Sequence, residues 1–328
     1  MFLKRHLFPI LCSILLVAFT LYVILDTFVI ARVYTVVNPT AASESTPIDG
    51  SSEEEAQNSQ SSAASEQSDE TESAGAENNS VFTNEAVFTN NSYSDENISI
   101  TLTERREYNT EIYVADVIVS SPEYLKTAFA KNEYGRNITQ KTSAIAKGCG
   151  AILAINGDYY GAHSNGYVIR NGVLYRESSS SNQEDLVIWA DGSFTTITEG
   201  ETAAGELLAN SAKQVMSFGP ALITDGSIVI TENEEVAKAK TSNPRTAIGI
   251  IDDCHYLFVV SDGRTAESEG LSLYQLAELM HSLDADVAYN LDGGGSSTMY
   301  FNGAVVNNPT TTGKSIEERS VSDIVYIG

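Results

Sequence analysis

The sequence predicts the α+β class: a single mixed-sheet domain, rich in hairpins and with at least one βαβ unit, preceded by a transmembrane helix and a disordered linker. Three observations predict it. Asn171-Gly172, Asp191-Gly192, Asp225-Gly226 and Asn302-Gly303 each separate two apolar runs. Such dipeptides supply the two positive-φ residues that a tight hairpin turn needs. Residues 256–260, a Gly-containing loop, a helical pattern and residues 287–291 come in strand–helix–strand order, the pattern of a crossover between parallel strands. Residues 7–30 are apolar apart from Ser13, Thr20, Asp26 and Thr27, and the segment after them is polar and acidic.

Taken in order, residues 1–6 are short and basic, with Lys4 and Arg5. The 24 residues of 7–30 would span about 36 Å as a helix, enough for a bilayer core of about 30 Å. The run exceeds a signal-peptide core and offers no small-x-small cleavage site. It therefore predicts an uncleaved signal anchor. Lys4 and Arg5 outweigh the single Arg32, which predicts a cytoplasmic N-terminus, a single membrane pass and a domain outside the cell membrane. Residues 31–96 read as an acidic, Ser/Glu-rich disordered linker. Between Arg32 and Arg105 there is no Lys or Arg, while 13 Asp and Glu fall between Glu44 and Glu96. Such a segment cannot bury enough apolar surface to offset its ordering entropy. Residues 97–328 are the expected catalytic domain.

Within that domain, residues 98–102 and 112–119 alternate as half-buried strands. Ser121-Pro122-Glu123 opens a helix expected to run through Ala130, and 142–148 predicts another helical turn. Residues 151–155 form a continuous apolar run, a buried strand that delivers the polar loop Asn156-Gly157-Asp158. Hairpins come next around Asn171-Gly172, Asp191-Gly192 and Asp225-Gly226, with a short helix over 206–212. Leu273, Leu276, Ala277, Met280 and Leu283 have the spacing of an amphipathic helix. That helix joins the strand ending before Asp262 to the strand ending before Asp292. Both carboxylates should then lie at one end of the sheet, where ligands of open α/β sheets bind. A last hairpin over 298–306 and a strand over 321–327 close the chain.

With 44 acidic and 19 basic residues the net charge is −25, so nucleic acid is excluded as a partner because phosphate neutralisation requires Lys and Arg. Cys149 and Cys254 read as free thiols rather than a pair. Thr311-Thr312-Gly313-Lys314-Ser315 resembles the end of a phosphate-binding loop, but position 308 is Asn where that motif needs Gly. No nucleophile-elbow Ser occurs, and the four His residues lack metal-ligand spacing. The remaining polar groups converge. Asn156, Asp158, Asp262 and Asp292 end predicted strands, Arg245 and Arg319 flank others, and Gly293-Gly294-Gly295-Ser296-Ser297-Thr298 offers backbone N–H groups and hydroxyls. Carboxylates that act as acid, base or nucleophile, with arginines and glycine-loop amides for an anion, suit a substrate that is part sugar and part phosphate.

Five pieces occur in order across residues 151–327: Ile155-Asn156-Gly157-Asp158-Tyr159-Tyr160, Phe218-Gly219-Pro220-Ala221-Leu222, Pro244-Arg245-Thr246-Ala247-Ile248-Gly249, Asp262-Gly263-Arg264, and Asn290-Leu291-Asp292-Gly293-Gly294-Gly295-Ser296-Ser297-Thr298. With Arg319 before the last strand, they resemble the phosphodiester glycosidase family. The chain departs from it at Asp158-Tyr159-Tyr160, where members more often carry Gly-Phe-Phe. The resemblance implies a hydrolase that cleaves the bond between an anomeric carbon and a phosphodiester oxygen in a phosphate-linked glycan of the envelope or an exported polymer. It implies Asp292 first and Asp158 second as catalytic carboxylates, with Arg245. It implies substrate binding by Asn156, Gly157, Thr246, Asp262, Gly293, Gly294, Gly295, Ser296, Ser297, Thr298 and Arg319. No cofactor is implied, and no ligand motif supports a divalent cation. The competing reading is a non-catalytic carbohydrate-binding module in exopolysaccharide assembly that presents Tyr159, Tyr160 and Tyr167. The carboxylates set beside arginines favour the enzyme.

Overall fold

The computed structural model describes residues 2–34, 81–232 and 242–328, without the side chains of 2–12, 27 and 28. The part of the linker reading that falls on 35–80 lies outside the described residues.

The first helix, Phe2–Phe28, coincides with most of the expected anchor, but among the described residues no helix is long and apolar enough to cross a membrane. This overturns the transmembrane anchor over 7–30. With it go the single pass and the membrane as a partner, and the cytoplasmic 1–6 and external domain lose the anchor on which they rested. The chain beyond it is fastened to the domain: Asn137 Nδ2 donates to Ile30 O at 3.0 Å, and Arg32–Val33 pairs with Gly135–Arg136. The end of the segment read as linker is also built in. Strands Val87–Phe88 and Ser92–Ser94 extend the edge of the largest sheet, where Tyr93 is buried and meets Phe88 edge-on at 4.8 Å.

The α+β class, the hairpins and the βαβ unit hold. A nine-stranded antiparallel sheet and two five-stranded sheets enclose one shared core. Strand Thr110–Val119 shows why its sequence is almost continuously apolar. Tyr113, Ala115 and Val117 face that shared core, while Ile112 and Val114 face a second cluster under the helix Leu273–Ser282. The helix Thr142–Cys149 covers the outer face of one five-stranded sheet, and Ala204–Ala209 that of the other. Part of each sheet is thus buried on both faces.

The βαβ unit has a third member. His255–Ser261 and Val287–Leu291 both pair antiparallel with Arg245–Asp252, which lies between them, so the two strands run parallel to each other. Arg245 faces Ser261 and Thr246 faces Leu291, so the start of one strand and the ends of two meet at one edge. Asp262 and Asp292 come next there, as the sequence predicts.

The helix expected from Ser121 to Ala130 is instead one 3₁₀ turn, Pro122–Tyr124, continued by the strand Leu125–Phe129. Ser121 caps the turn, but Leu125 and Thr127 alternate inward and pair with Asp323–Ile327. Period-two burial outweighs the local helix signal. Cys149 and Cys254 are both free thiols.

Candidate active site

A cavity of about 910 Å³ opens where these strand ends meet the loop after Asn156. Its lining includes Tyr159, Tyr160, His163, Gln183, Asp292 and Arg319. Among the described residues, Asp292 is the only carboxylate in that lining. Its backbone N–H donates to Gly157 O at 3.3 Å, and its own carbonyl accepts Asn156 Nδ2 at 2.6 Å. The carboxylate accepts Arg319 Nη2 at 2.8 Å. Arg319 also reaches Ser296 Oγ through Nε at 2.8 Å and Nη2 at 2.6 Å. Burial raises the Asp292 pKa, while Arg319 and Ser296 pull it back. The result is a carboxylate made basic by its surroundings and held in place by one guanidinium.

Asn156 works behind the cavity. Fully buried, it clamps three segments: Nδ2 holds the Asp292 carbonyl, and Oδ1 accepts Thr246 Oγ1 at 2.8 Å and the Thr298 N–H at 3.2 Å. Thr246 thereby supports the loop from the neighbouring strand. Gly293 is forced by close approach, because a Cβ there would sit 2.8 Å from Pro244 O.

The other expected residues fall into two groups. The glycine loop and its hydroxyls adjoin Asp292 and Arg319, but much of the loop's backbone is engaged internally. Gly294 N donates to Pro244 O, Ser296 N to Gly293 O and Ser297 N to Gly294 O, while Gly295 O accepts Arg319 N. Most N–H groups of residues 293–298 therefore already have acceptors. Ser297 Oγ and Thr298 Oγ1 are buried with no partner among the described residues. Asp158, Arg245 and Asp262 stand outside the lining. Asp158 is buried against Arg170 at 2.8 Å and also accepts the N–H groups of Ser217 and Tyr160. Arg245 Nε donates to Leu271 O at 3.0 Å. Asp262 accepts Asn307 Nδ2 at 3.1 Å and both the N–H and Nδ2 of Asn308, at 2.8 and 3.0 Å.

Two participants carried no local signal in the sequence. Arg170, at the end of a hairpin strand, is fully buried and joins Asp158 to Asp323. Glu199 accepts the Tyr167 N–H at 2.6 Å and Ser217 Oγ at 2.9 Å, and it also accepts the Ser180 N–H. Ser180 and Ser217 both line the cavity.

A family profile described as phosphodiester glycosidase matches residues 149–328. The SPbeta prophage-derived uncharacterized protein YomE of Bacillus subtilis is 30% identical over 182 residues, 53% of this chain and 28% of that protein. The N-acetylglucosamine-1-phosphodiester alpha-N-acetylglucosaminidase of Mus musculus is 30% identical over 192 residues, 53% of this chain and 36% of that enzyme. The chain thus spans about a third of the length of these relatives. The catalytic domain of the zebrafish enzyme of that name, auto-inhibited by its pro-peptide, superposes with a TM-score of 0.56 at 21% identity, covering 70% of this chain and 82% of that one. Motif order, fold and profile agree, and the chain belongs to the phosphodiester glycosidase family.

Proposed function

We propose that the chain hydrolyses sugar-1-phosphodiesters, with the reacting bond beside Asp292. One observation carries this reading: among the described residues Asp292 is the one carboxylate in the cavity lining, and it is buried, ion-paired to Arg319 and clamped through its backbone by Asn156. The mouse relative's name supplies the bond class, a sugar joined through its anomeric carbon to a phosphodiester.

The chemistry is set by charge. Water adds to the anomeric carbon as its proton passes to Asp292, the carbon–oxygen bond breaks, and its electron pair leaves with the phosphate monoester. A glycosidase usually protonates its leaving group with a second carboxyl. A phosphate monoester is stable as an anion and needs much less of that help. Asp292 supplies negative charge where the sugar becomes oxocarbenium-like, and Arg319 stabilises the charge arriving on phosphate. Ser296 orients Arg319. In this reading Asn156, Gly157 and Thr246 position the loop, whereas Asp158, Arg245 and Asp262 shape its surroundings without meeting substrate.

The test is Asp292→Asn with UDP-N-acetylglucosamine as an accessible diester. Release of free sugar by the unaltered chain and a fall of about 10²-fold or more in kcat for the variant are expected, the range for losing a positioned acid–base group. Circular dichroism should show the fold retained. Near-unaltered turnover by a folded variant would remove Asp292 from the reaction. Binding of the diester with no sugar released would leave a carbohydrate-binding module.

A further inference from the structure

Two guanidinium groups border the Gly293–Gly294 peptide. Arg319 Nη2 donates to Gly293 O at 3.3 Å. Arg264, exposed and outside the cavity lining, approaches from the adjoining loop, so closely that a Cβ on Gly294 would lie 2.7 Å from its Nη2. Gly294 itself has φ +63. The Arg264 backbone is also left-handed, at φ +65, which costs energy for a residue with a side chain. Gly313 is required next to it, because a Cβ there would meet Arg264 O at 2.0 Å.

The partners of Arg264 are neutral. Asn243 Oδ1 accepts its Nε and Nη2 at 3.3 and 3.1 Å, and Thr311 O accepts its Nη1 at 2.6 Å. Among the described residues it makes no ion pair, although its side chain senses both Arg319 and Asp292. Placing a second cation near Arg319 costs repulsion, and one carboxylate cannot neutralise both. In a chain of net charge −25 this local excess of positive charge calls for an anionic ligand with several acceptor oxygens. Guanidinium groups match the geometry of phosphate oxygens.

We propose that Arg264 and Arg319 together seat the phosphate of the substrate, with Arg264 on the side away from the sugar. The substrate then has a direction. Its phosphate and the alcohol beyond lie toward Gly294, and its sugar lies across Asp292 toward Tyr159, His163 and Gln183. Tyr159 suits the sugar end, being exposed at the mouth of the cavity with its ring edge-on to His163 at 5.5 Å. The assignment rests on the hydrolase reading for the identity of the ligand, but not for the existence of an anion seat.

The experiment separates the two. Glycerol 3-phosphate, a phosphate monoester with no sugar, is titrated into the full chain by calorimetry at low salt. Binding is expected, weakened about 10-fold by Arg264→Gln and about 3-fold or less by Arg264→Lys. For the diester, Arg264→Gln should raise KM by a similar factor with kcat within about 2-fold. A second measurement needs no variant: phenylglyoxal modification of Arg264, detected by mass spectrometry, should slow about 5-fold or more in saturating glycerol 3-phosphate. Unchanged affinity in a folded Arg264→Gln chain, or no protection of Arg264, overturns the seat. Arg264-dependent phosphate binding without any hydrolysis of the diester keeps the seat and removes the hydrolase.

Discussion

Asp185 is fully buried beside Glu199, and neither of its carboxylate oxygens has a hydrogen-bond partner among the described residues. Burial first, then the charge of Glu199, pushes its pKa up to about 10. In the unfolded chain an Asp titrates near 3.9. Between these values the folded chain holds a proton that the unfolded chain has released. Folding therefore takes up a proton, and stability is lost as pH rises through that window. Asp185→Asn keeps the shape and removes the titration. Relative to the unaltered chain, the variant should gain more at pH 8 than at pH 5, by about 4 °C or more in Tm, given about 2–4 °C per kcal/mol for a domain of this size. Calorimetry at the two pH values checks this, and parallel Tm–pH curves would show that Asp185 titrates normally. Because Glu199 also ties together Tyr167, Ser180 and Ser217, the same residue bears on the rigidity of the cavity wall.

The loop from Asp292 to Thr298 is positioned by its neighbours more than by its own turn. Asn156 holds both its ends, and Pro244 O lies against Gly293. Gly293→Ala must displace either Pro244 or the loop, since the clash is with backbone. A stability loss of about 1–3 kcal/mol, the usual range for overpacking, should accompany a kcat loss of more than about 10-fold, because Asp292 and Arg319 move with the loop. Chemical denaturation and single-turnover kinetics check the two parts, and unchanged kcat would mean the loop tolerates the shift. How legible these elements were in sequence depends on how local their causes are. Asn171-Gly172, Asp225-Gly226 and Asn302-Gly303 take positive φ at both residues, so each turn was readable from two letters. The placement of Asp262 and Asp292 at one sheet edge was readable from helical spacing and chain order. Leu125–Phe129 was misread because its strand character comes from pairing with Asp323–Ile327, almost 200 positions away. Asp158 and Arg245 follow or begin strands at the right edge, yet neither lines the cavity. Their side-chain partners, Arg170 and the Leu271 carbonyl, are set by tertiary packing that no motif encodes.

At the scale of the whole molecule, three sheets share one core, and polar groups decide how they lock together. Arg170 ends the strand Val168–Arg170 of one five-stranded sheet and bonds the Val215 carbonyl within it. Its Nε and Nη2 reach Asp323 at 2.9 and 2.8 Å, on the closing strand of the other five-stranded sheet, and Nη2 reaches Asp158 at 2.8 Å. Tyr160, which lines the cavity, lies with its ring centroid 5.7 Å from this guanidinium. One buried cation therefore joins two sheets directly behind the cavity. Burial raises the Asp323 pKa while Arg170 pulls it back, so Arg170 is the counter-charge that both carboxylates share. Arg170→Leu leaves both of them buried without their counter-charge, and breaking a buried pair in this way costs about 3–5 kcal/mol. Total stabilities are only about 5–15 kcal/mol, so this variant should be largely unfolded at 37 °C or lose about 10 °C in Tm. Asp323→Asn removes one charge from a cluster that already has more carboxylates than cations, and should cost less than about half as much. Urea denaturation of the two variants side by side gives the comparison. If Arg170→Leu proves no less stable than Asp323→Asn, hydrophobic packing alone holds these sheets together and the buried arginine has another purpose.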